Sequence, residues 1–190
     1  TLERGRKNGV AAYVVPAIDF ASWPGLQALA MRYPEIKPAF GLHPMFLAEY
    51  QPVHLDALPG WLQKPECVAV GECGLDFFVP GLDAALQETV FIEHIRLAVR
   101  FAKPLIIHAR QATERVIQLL KMHGPATGVI HSYSGSLEQA RQLIAMGIYL
   151  GIAGPITYPR SNRIRALVKD VPLGNLLLET DAPDQPLYGE

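Results

Sequence analysis

Short apolar runs alternate with longer stretches of helical periodicity along the whole chain. The apolar runs are rich in β-branched residues, which is typical of buried strands, and the stretches between them carry apolar residues near helical spacing. Strands are predicted over residues 10–18, 36–42, 68–71, 104–107, 128–130, 148–152 and 176–178. Such alternation indicates repeated βα units around a parallel sheet.

Capping signals predict helices between these strands. Ser22 precedes Pro24 at one helix start, and Asp83 is predicted to cap the long helix after the third strand. Ser136 opens a capping box, and Gly124-Pro125 predicts the end of the helix before it. Further helices are predicted over residues 55–62 and 164–168.

This order of elements predicts an α/β fold, a TIM (β/α)₈ barrel that is incomplete at both ends. A closed barrel needs eight strands and typically about 250 residues, whereas this sequence has 190 residues. A first strand is expected before Thr1, and the residues after Asp181 are too few for the final helices. A smaller open α/β sheet is the alternative. Without repeats, low-complexity tracts or linkers, residues 1–190 are predicted to form a single, partial barrel domain.

Composition agrees with a sheet buried on both faces. Hydrophobic residues make up 49% of the chain and charged residues 18%, below the roughly 25% that is usual for soluble domains. The net charge is -1. No global positive field therefore attracts nucleic acid, and a polyanion would have to bind through a local patch or through a metal.

Cysteine usage and hydropathy predict a cytoplasmic protein. Cys67 and Cys73 flank or lie in one predicted strand and form no Cys-x-x-Cys, so neither a disulfide nor a zinc knuckle is expected. No apolar run approaches the roughly 20 residues of a membrane span, and residues 1–7 do not resemble a signal peptide. No membrane association is expected, and no protein partner is evident.

Four metal-capable side chains follow predicted strands. They are Glu72, His108, His131 and Asp181. The carboxyl ends of barrel strands converge on one mouth, so these residues can share a site despite their separation in sequence. Two carboxylates and two imidazoles suit a divalent metal that activates water.

Each of these residues also has a purely structural explanation. Glu72 could be satisfied by backbone amides or by an arginine, and His108 could be a core histidine bonded to a carbonyl. His131 could belong to an ordinary turn, and Asp181 to a turn before Pro183. The recurrence of ligand types at the same point of four strands favours the metal site.

Other side chains are predicted to reach the same mouth. Arg110 is two residues beyond His108 and faces the same way, so it is expected to bind a phosphate or carboxylate unless it forms a surface ion pair. His43 is expected at the rim, in contact with substrate. Glu179 is expected either to support the site or to pair with a lysine or arginine.

For several basic residues, a functional and a structural interpretation both stay open. The arginines beyond the sixth strand could meet phosphates or could belong to a solvated helix face. They are Arg160, Arg163 and Arg165. The other histidines are interpreted as structural or surface residues, and they are His54, His94 and His123.

Five motifs in this order resemble the TatD family of metal-dependent DNases, a branch of the amidohydrolase-like TIM barrels. They are residues 41–44 (GLHP), 71–76 (GECGLD), 107–110 (IHAR), 131–135 (HSYSG) and 179–183 (ETDAP). Residues 155–160 and 183–187 resemble the YjjV-like branch in particular. The resemblance covers essentially the whole chain.

The resemblance implies a two-metal phosphodiesterase, a deoxyribonuclease that uses Mg²⁺, Mn²⁺ or Zn²⁺ and takes DNA or another phosphodiester as substrate. By position, Glu72 would bridge the metals, His108 and His131 would be ligands, and Asp181 would be a ligand and the general base. Glu72 and Asp181 are thus the catalytic residues that the resemblance implies. His43 and Arg110 would contact the scissile phosphate or its neighbours.

One family feature is absent from the sequence. The family's first strand carries His-x-His, and no such pair occurs here. Two other interpretations therefore stay open beside the nuclease. One is an amidohydrolase-like enzyme that acts on a small ester, lactone or amide, since fold alone does not decide the substrate. The other is a catalytically silent, truncated remnant.

Overall fold

The computed structural model describes residues 2–124 and 126–189 and has seven parallel strands in consecutive order. The strands are β1 (Tyr13–Pro16), β2 (Ile36–Phe40), β3 (Ala69–Asp76), β4 (Leu105–Arg110), β5 (Gly128–Ile130), β6 (Ile148–Ile152) and β7 (Leu176–Leu178). Within the described residues β1 and β7 do not pair with each other, so the sheet is curled but open. The α/β prediction and the TIM-like fold are confirmed.

One helix precedes β1 and the others connect the strands, as parallel pairing requires. They are α1 (Leu2–Lys7), α2 (Trp23–Arg32), α3 (Pro52–Leu62), α4 (Ala84–Phe101), α5 (Thr113–His123), α6 (Leu137–Ala145) and α7 (Asn162–Asp170). Short 3₁₀ turns cover Phe20–Ser22, Pro44–Glu49, Gly154–Thr157 and Leu173–Asn175. None of the helices in the described ranges is long and apolar enough to cross a membrane.

Most predicted capping residues act as expected. The Asp83 side chain accepts the backbone N–H of Leu86, and Ser136 forms its capping box. α5 ends at the predicted Gly124, while Pro125 lies outside the described residues. Ser22 precedes α2 without a side-chain capping bond, because its hydroxyl and its N–H are both engaged with Asp19.

Two strands extend beyond their predicted ends, and this changes the position of two site residues. β3 was expected to end at Gly71 and continues to Asp76, and β4 continues to Arg110. Residues 73–76 pair with residues 107–110 after a register irregularity between Val70 and Cys73. The glycines and polar residues give this segment a low strand propensity, and pairing with β4 stabilises the strand in spite of it. Glu72 and His108 therefore lie within strands, not after them.

The buried core fills the space between the sheet and its helices. Its aromatic centre is Trp23, whose ring meets Phe40 and Trp61 edge-on and whose Nε1 donates to the Gly41 carbonyl at 3.0 Å. Both cysteines are buried and free. That residues 1–190 form a single domain stays a prediction.

Candidate metal centre

The buried carboxylate of Glu72 is the centre of a histidine cluster. Its Oε1 lies 3.0 Å from His43 Nε2, 3.3 Å from His108 Nδ1 and 2.9 Å from His131 Nε2. The two imidazoles of β4 and of the segment after β5 also meet, with His108 Nδ1 3.1 Å from His131 Nε2. Adjacent strands β2, β3, β4 and β5 each contribute one of these residues at the same end of the sheet.

The three imidazole nitrogens lie close to Glu72 Oε1 but are not in hydrogen-bond geometry with it. Glu72 Oε1 is shielded from solvent and has no donor in hydrogen-bond geometry among the described residues. A buried carboxylate oxygen without a partner is costly. Nitrogen and oxygen lone pairs that converge in this way suit a divalent cation. The donor atoms of His43, Glu72 and His108 lie within 4.8 Å of one another, which is compatible with one ion among them.

Electrostatics keep this carboxylate ionised. Burial alone would raise the pKa of Glu72, but the imidazoles of His108, His131 and His43 hold it well below its usual range. Burial opposes protonation of His131, yet the neighbouring carboxylates of Glu72 and Asp181 raise its pKa to about 9. A cation that took His131 Nε2 as a ligand would therefore have to displace a proton.

Asp76, which the sequence analysis did not select, contacts the far side of His108. Its Oδ2 lies 3.0 Å from His108 Nε2, and the side chain is buried. Burial would raise the pKa of Asp76, but the Val79 amide and His108 lower it, so the group is a carboxylate. In the sequence, Asp76 stands shortly before a turn and therefore indicates only turn formation. No sequence pattern connects it to a histidine 32 residues away.

His43 is buried at the cluster and not at the predicted rim. Its Nδ1 accepts the Met45 N–H at 3.2 Å, so this nitrogen carries no proton. The neutral ring then has its proton on Nε2, the atom that faces Glu72. An Nε2–H is a donor, which suits a contact with an anionic oxygen better than metal ligation. The substrate-binding role of His43 stays a prediction.

A second buried histidine holds the segment that carries His43. His94 of α4 accepts the Leu42 N–H on Nε2 at 3.0 Å, and its Nδ1 lies 2.8 Å from the Val90 carbonyl. These contacts require a neutral ring with Nδ1 protonated. Burial lowers the pKa of His94 to about 4. The structural interpretation of His94 agrees with this arrangement.

This histidine predicts a loss of stability in acid. Its folded-state pKa of about 4 lies below its unfolded value of 6.5, so the unfolded chain takes up the proton first as pH falls. Stability is full above pH 6.5 and declines toward pH 4, by up to about 3 kcal/mol. We expect urea unfolding to give a shallower acid decline for His94→Gln than for the parent chain. Equal declines would contradict this origin of the effect.

The segment after β7 joins the cluster through His131. Asp181 Oδ2 lies 3.9 Å from His131 Nδ1 and accepts from Gln185 Nε2 at 2.6 Å. The Gln185 Oε1 in turn accepts the Ser132 hydroxyl at 2.7 Å. Glu179 accepts the backbone N–H of Ser132 and forms no pair with a lysine or arginine in the described part of the chain. Glu179 therefore braces the residue that follows His131.

The candidate phosphate-binding arginines have different surroundings. The Arg110 guanidinium lies 3.7 Å above the ring of Phe78 and pairs with no carboxylate in residues 2–124 and 126–189. Arg165 donates to the carbonyls of Ile156, Tyr158 and Pro159, so its head group is occupied. Arg110 is thus the better placed of the two to meet an anion at the mouth.

Comparison with known proteins identifies the family. The family description "TatD related DNase" matches residues 1–188. The chain is 40% identical over 192 residues to YjjV of Escherichia coli (strain K12), named an uncharacterized metal-dependent hydrolase, covering 100% of this chain and 74% of YjjV. It is 35% identical over 188 residues to the 3'-5' ssDNA/RNA exonuclease TatD of Cronobacter turicensis, covering 96% of this chain and 70% of that protein.

A solved structure agrees with these sequence matches. The crystal structure of YjjV, the TatD homologue from Escherichia coli K12, aligns with a TM-score of 0.94 at 38% identity, covering 99% of this chain and 74% of that one. The relatives of this chain that are named metal-dependent hydrolases and the donor cluster around Glu72 both point to metal-dependent hydrolysis. The chain belongs to the TatD family and is a metal-dependent hydrolase.

Proposed function

We propose that this enzyme hydrolyses phosphodiester bonds of nucleic acid, DNA in the first place. The observation that carries the proposal is the buried Glu72 Oε1, which has three imidazole nitrogens within 3.3 Å and no donor in hydrogen-bond geometry among the described residues. The exonuclease named among its relatives supports a nucleic acid substrate.

In this proposal the ligands of divalent cations are Glu72, His108, His131 and Asp181. Two ions of Mg²⁺, Mn²⁺ or Zn²⁺ are proposed, and these four side chains would hold them. A divalent cation bound there supplies Lewis-acid polarisation of a phosphoryl oxygen and lowers the pKa of water. The fit rests on the orphaned Glu72 oxygen and on the convergence of imidazole nitrogens around it.

The side chains of the protein supply the remaining functions. Asp181 is partly exposed, and one of its oxygens, Oδ2, is held by Gln185. We propose that Asp181 accepts the proton of the attacking water. His43 would donate its Nε2–H to a phosphate oxygen, and the Arg110 guanidinium would hold the same or the neighbouring phosphate. As the bond from the water oxygen to phosphorus forms, the bond to the leaving oxygen would break, and the proton taken by Asp181 would pass to that oxygen.

The test is hydrolysis of single-stranded and duplex oligonucleotides by the purified protein, with and without added Mn²⁺ or Mg²⁺. We expect cleavage that depends on the metal and disappears with chelator. A parallel panel of esters, lactones and amides separates the alternatives. Cleavage of that panel with no cleavage of DNA would contradict the proposal in favour of a small-molecule hydrolase. Inertness toward every substrate would favour the silent remnant.

Removal of the Arg110 guanidinium is expected to weaken substrate binding. In Arg110→Ala, loss of a charge-assisted phosphate contact should raise KM for an oligonucleotide about tenfold or more, with a smaller change in kcat. Steady-state kinetics measure this split. Arg100→Ala, at the distant end of α4, is the matched control and should retain the parent KM. Equal KM values in the two variants would exclude Arg110 from the substrate site.

A further inference from the structure

Asp76 is the last residue of β3, and its two carboxylate oxygens have separate partners. Oδ1 accepts the backbone N–H groups of Phe78 and Val79, at 2.9 Å and 3.0 Å. Oδ2 faces His108 Nε2 at 3.0 Å. One buried carboxylate thus ties the end of β3 and the loop after it to β4.

Asp76 is itself held in place by α4. Gln87 accepts the Asp76 N–H on Oε1 at 2.8 Å and donates from Nε2 to the Asp76 carbonyl at 3.1 Å. Gln87 is buried, with 1% of its surface exposed. Both backbone groups and both side-chain oxygens of Asp76 are therefore engaged, so the carboxylate has little freedom to turn away from His108.

We infer that Asp76 is a positioning residue that sets the tautomer of His108, with the proton on Nε2 and a free lone pair on Nδ1. An ionised carboxylate only accepts hydrogen bonds, so the ring nitrogen that faces it must be the donor. In a neutral imidazole the other nitrogen is then bare. That nitrogen, Nδ1, lies 3.3 Å from Glu72 Oε1 outside hydrogen-bond geometry, and it lies 3.1 Å from His131 Nε2, which can donate to it.

The inference rests on the proposed role of His108 as a metal ligand and explains how its Nδ1 is kept unprotonated for that role. A histidine can ligate a metal only through an unprotonated nitrogen, and a carboxylate behind the ring also makes the ligand more basic. Loss of such a partner typically weakens metal binding about 10- to 100-fold. Asp76 is expected to act in this way without touching the metal or the substrate.

The decisive variant is Asp76→Asn, which keeps the shape of the side chain. Its oxygen can still accept from Phe78 and Val79, and this would place the amide NH₂ against His108 Nε2. An N–H donor there favours the opposite tautomer, with the proton on Nδ1. We expect Mn²⁺ or Zn²⁺ to bind about 10- to 100-fold more weakly to this variant in a competition titration. Asp83→Asn is the matched control, because asparagine caps α4 as well as aspartate does and the residue does not contact the cluster.

The tautomer can be read directly in the metal-free protein. Long-range ¹⁵N–¹H spectra at alkaline pH should assign the His108 proton to Nε2 in the parent chain and to Nδ1 in Asp76→Asn. A proton on Nδ1 in the parent chain would overturn the inference, even where the variant fails to fold. Parent-like metal affinity in a folded Asp76→Asn would overturn it too. If the parent chain binds no metal, the proposed function fails, while the spectra still decide the role of Asp76.

Discussion

Glu72→Gln is expected to lose metal binding and hydrolysis together. The substitution preserves volume but removes the charge around which three imidazoles converge, and it places an amide where a shared ligand oxygen should be. Because loss of a residue behind a ligand already weakens metal binding about 10- to 100-fold, loss of this ligand should reduce metal affinity and kcat/KM by more than about 100-fold. Metal titration and oligonucleotide cleavage on the same preparation measure both effects.

The matched control is Glu88→Gln, which makes the same chemical change on the surface. Glu88 pairs with Arg115 at 2.6 Å on the outside of the protein, and such pairs contribute at most about 1 kcal/mol. This variant should keep the metal affinity and activity of the parent chain. Parent-like activity in Glu72→Gln would exclude Glu72 from the catalytic site, and with it the proposed centre.

Gly74→Ala is expected to cause a large loss of stability. Gly74 has φ 134°, and a Cβ there would lie 2.1 Å from the His108 carbonyl oxygen. The backbones of β3 and β4 would have to separate at the residue pair that positions His108. Backbone strain and overpacking together should cost about 4 kcal/mol, measured by chemical unfolding. Metal affinity of the folded fraction should fall as well.

Gly25→Ala is a control variant in which we expect no loss of stability. Gly25 lies in the first turn of α2, where nothing lies within 4 Å of an added Cβ. Alanine in a helix is more stable than glycine by up to about 1 kcal/mol, so this variant should match or exceed the stability of the parent chain. Equal stability of the Gly74 and Gly25 variants would show that β3 and β4 can move apart at little cost.

Local sequence signals were sufficient for most of the fold. The bounds of β5, β6 and β7 agree with their apolar runs, and the caps at Asp83 and Ser136 form as their spacing predicts. The failures occur where pairing overrides propensity. β3 continues through Glu72 and Gly74 because its neighbour β4 completes the ladder, and no local pattern in that segment indicates a strand.

The candidate site was only partly accessible from sequence. Motif order and strand ends selected Glu72, His108 and His131, which the fold brings within 3.3 Å of one another. The burial of His43 and the contact of Asp76 with His108 could not be anticipated, because both depend on how residues far apart in sequence pack together. Arg110 and Asp181 were selected as well, and their roles stay predictions.

The sequence by itself determined the βα alternation and the set of ligand types at one end of the sheet, because hydrophobic period and capping are local properties. Only the tertiary structure decided how those ligands are oriented. The proton positions on His94 and His108 follow from partners on other elements of the fold at 3.0 Å, and that on His43 follows from the Met45 N–H in the turn after it. Hydrogen bonds act over such short distances that only the packed fold can assign them.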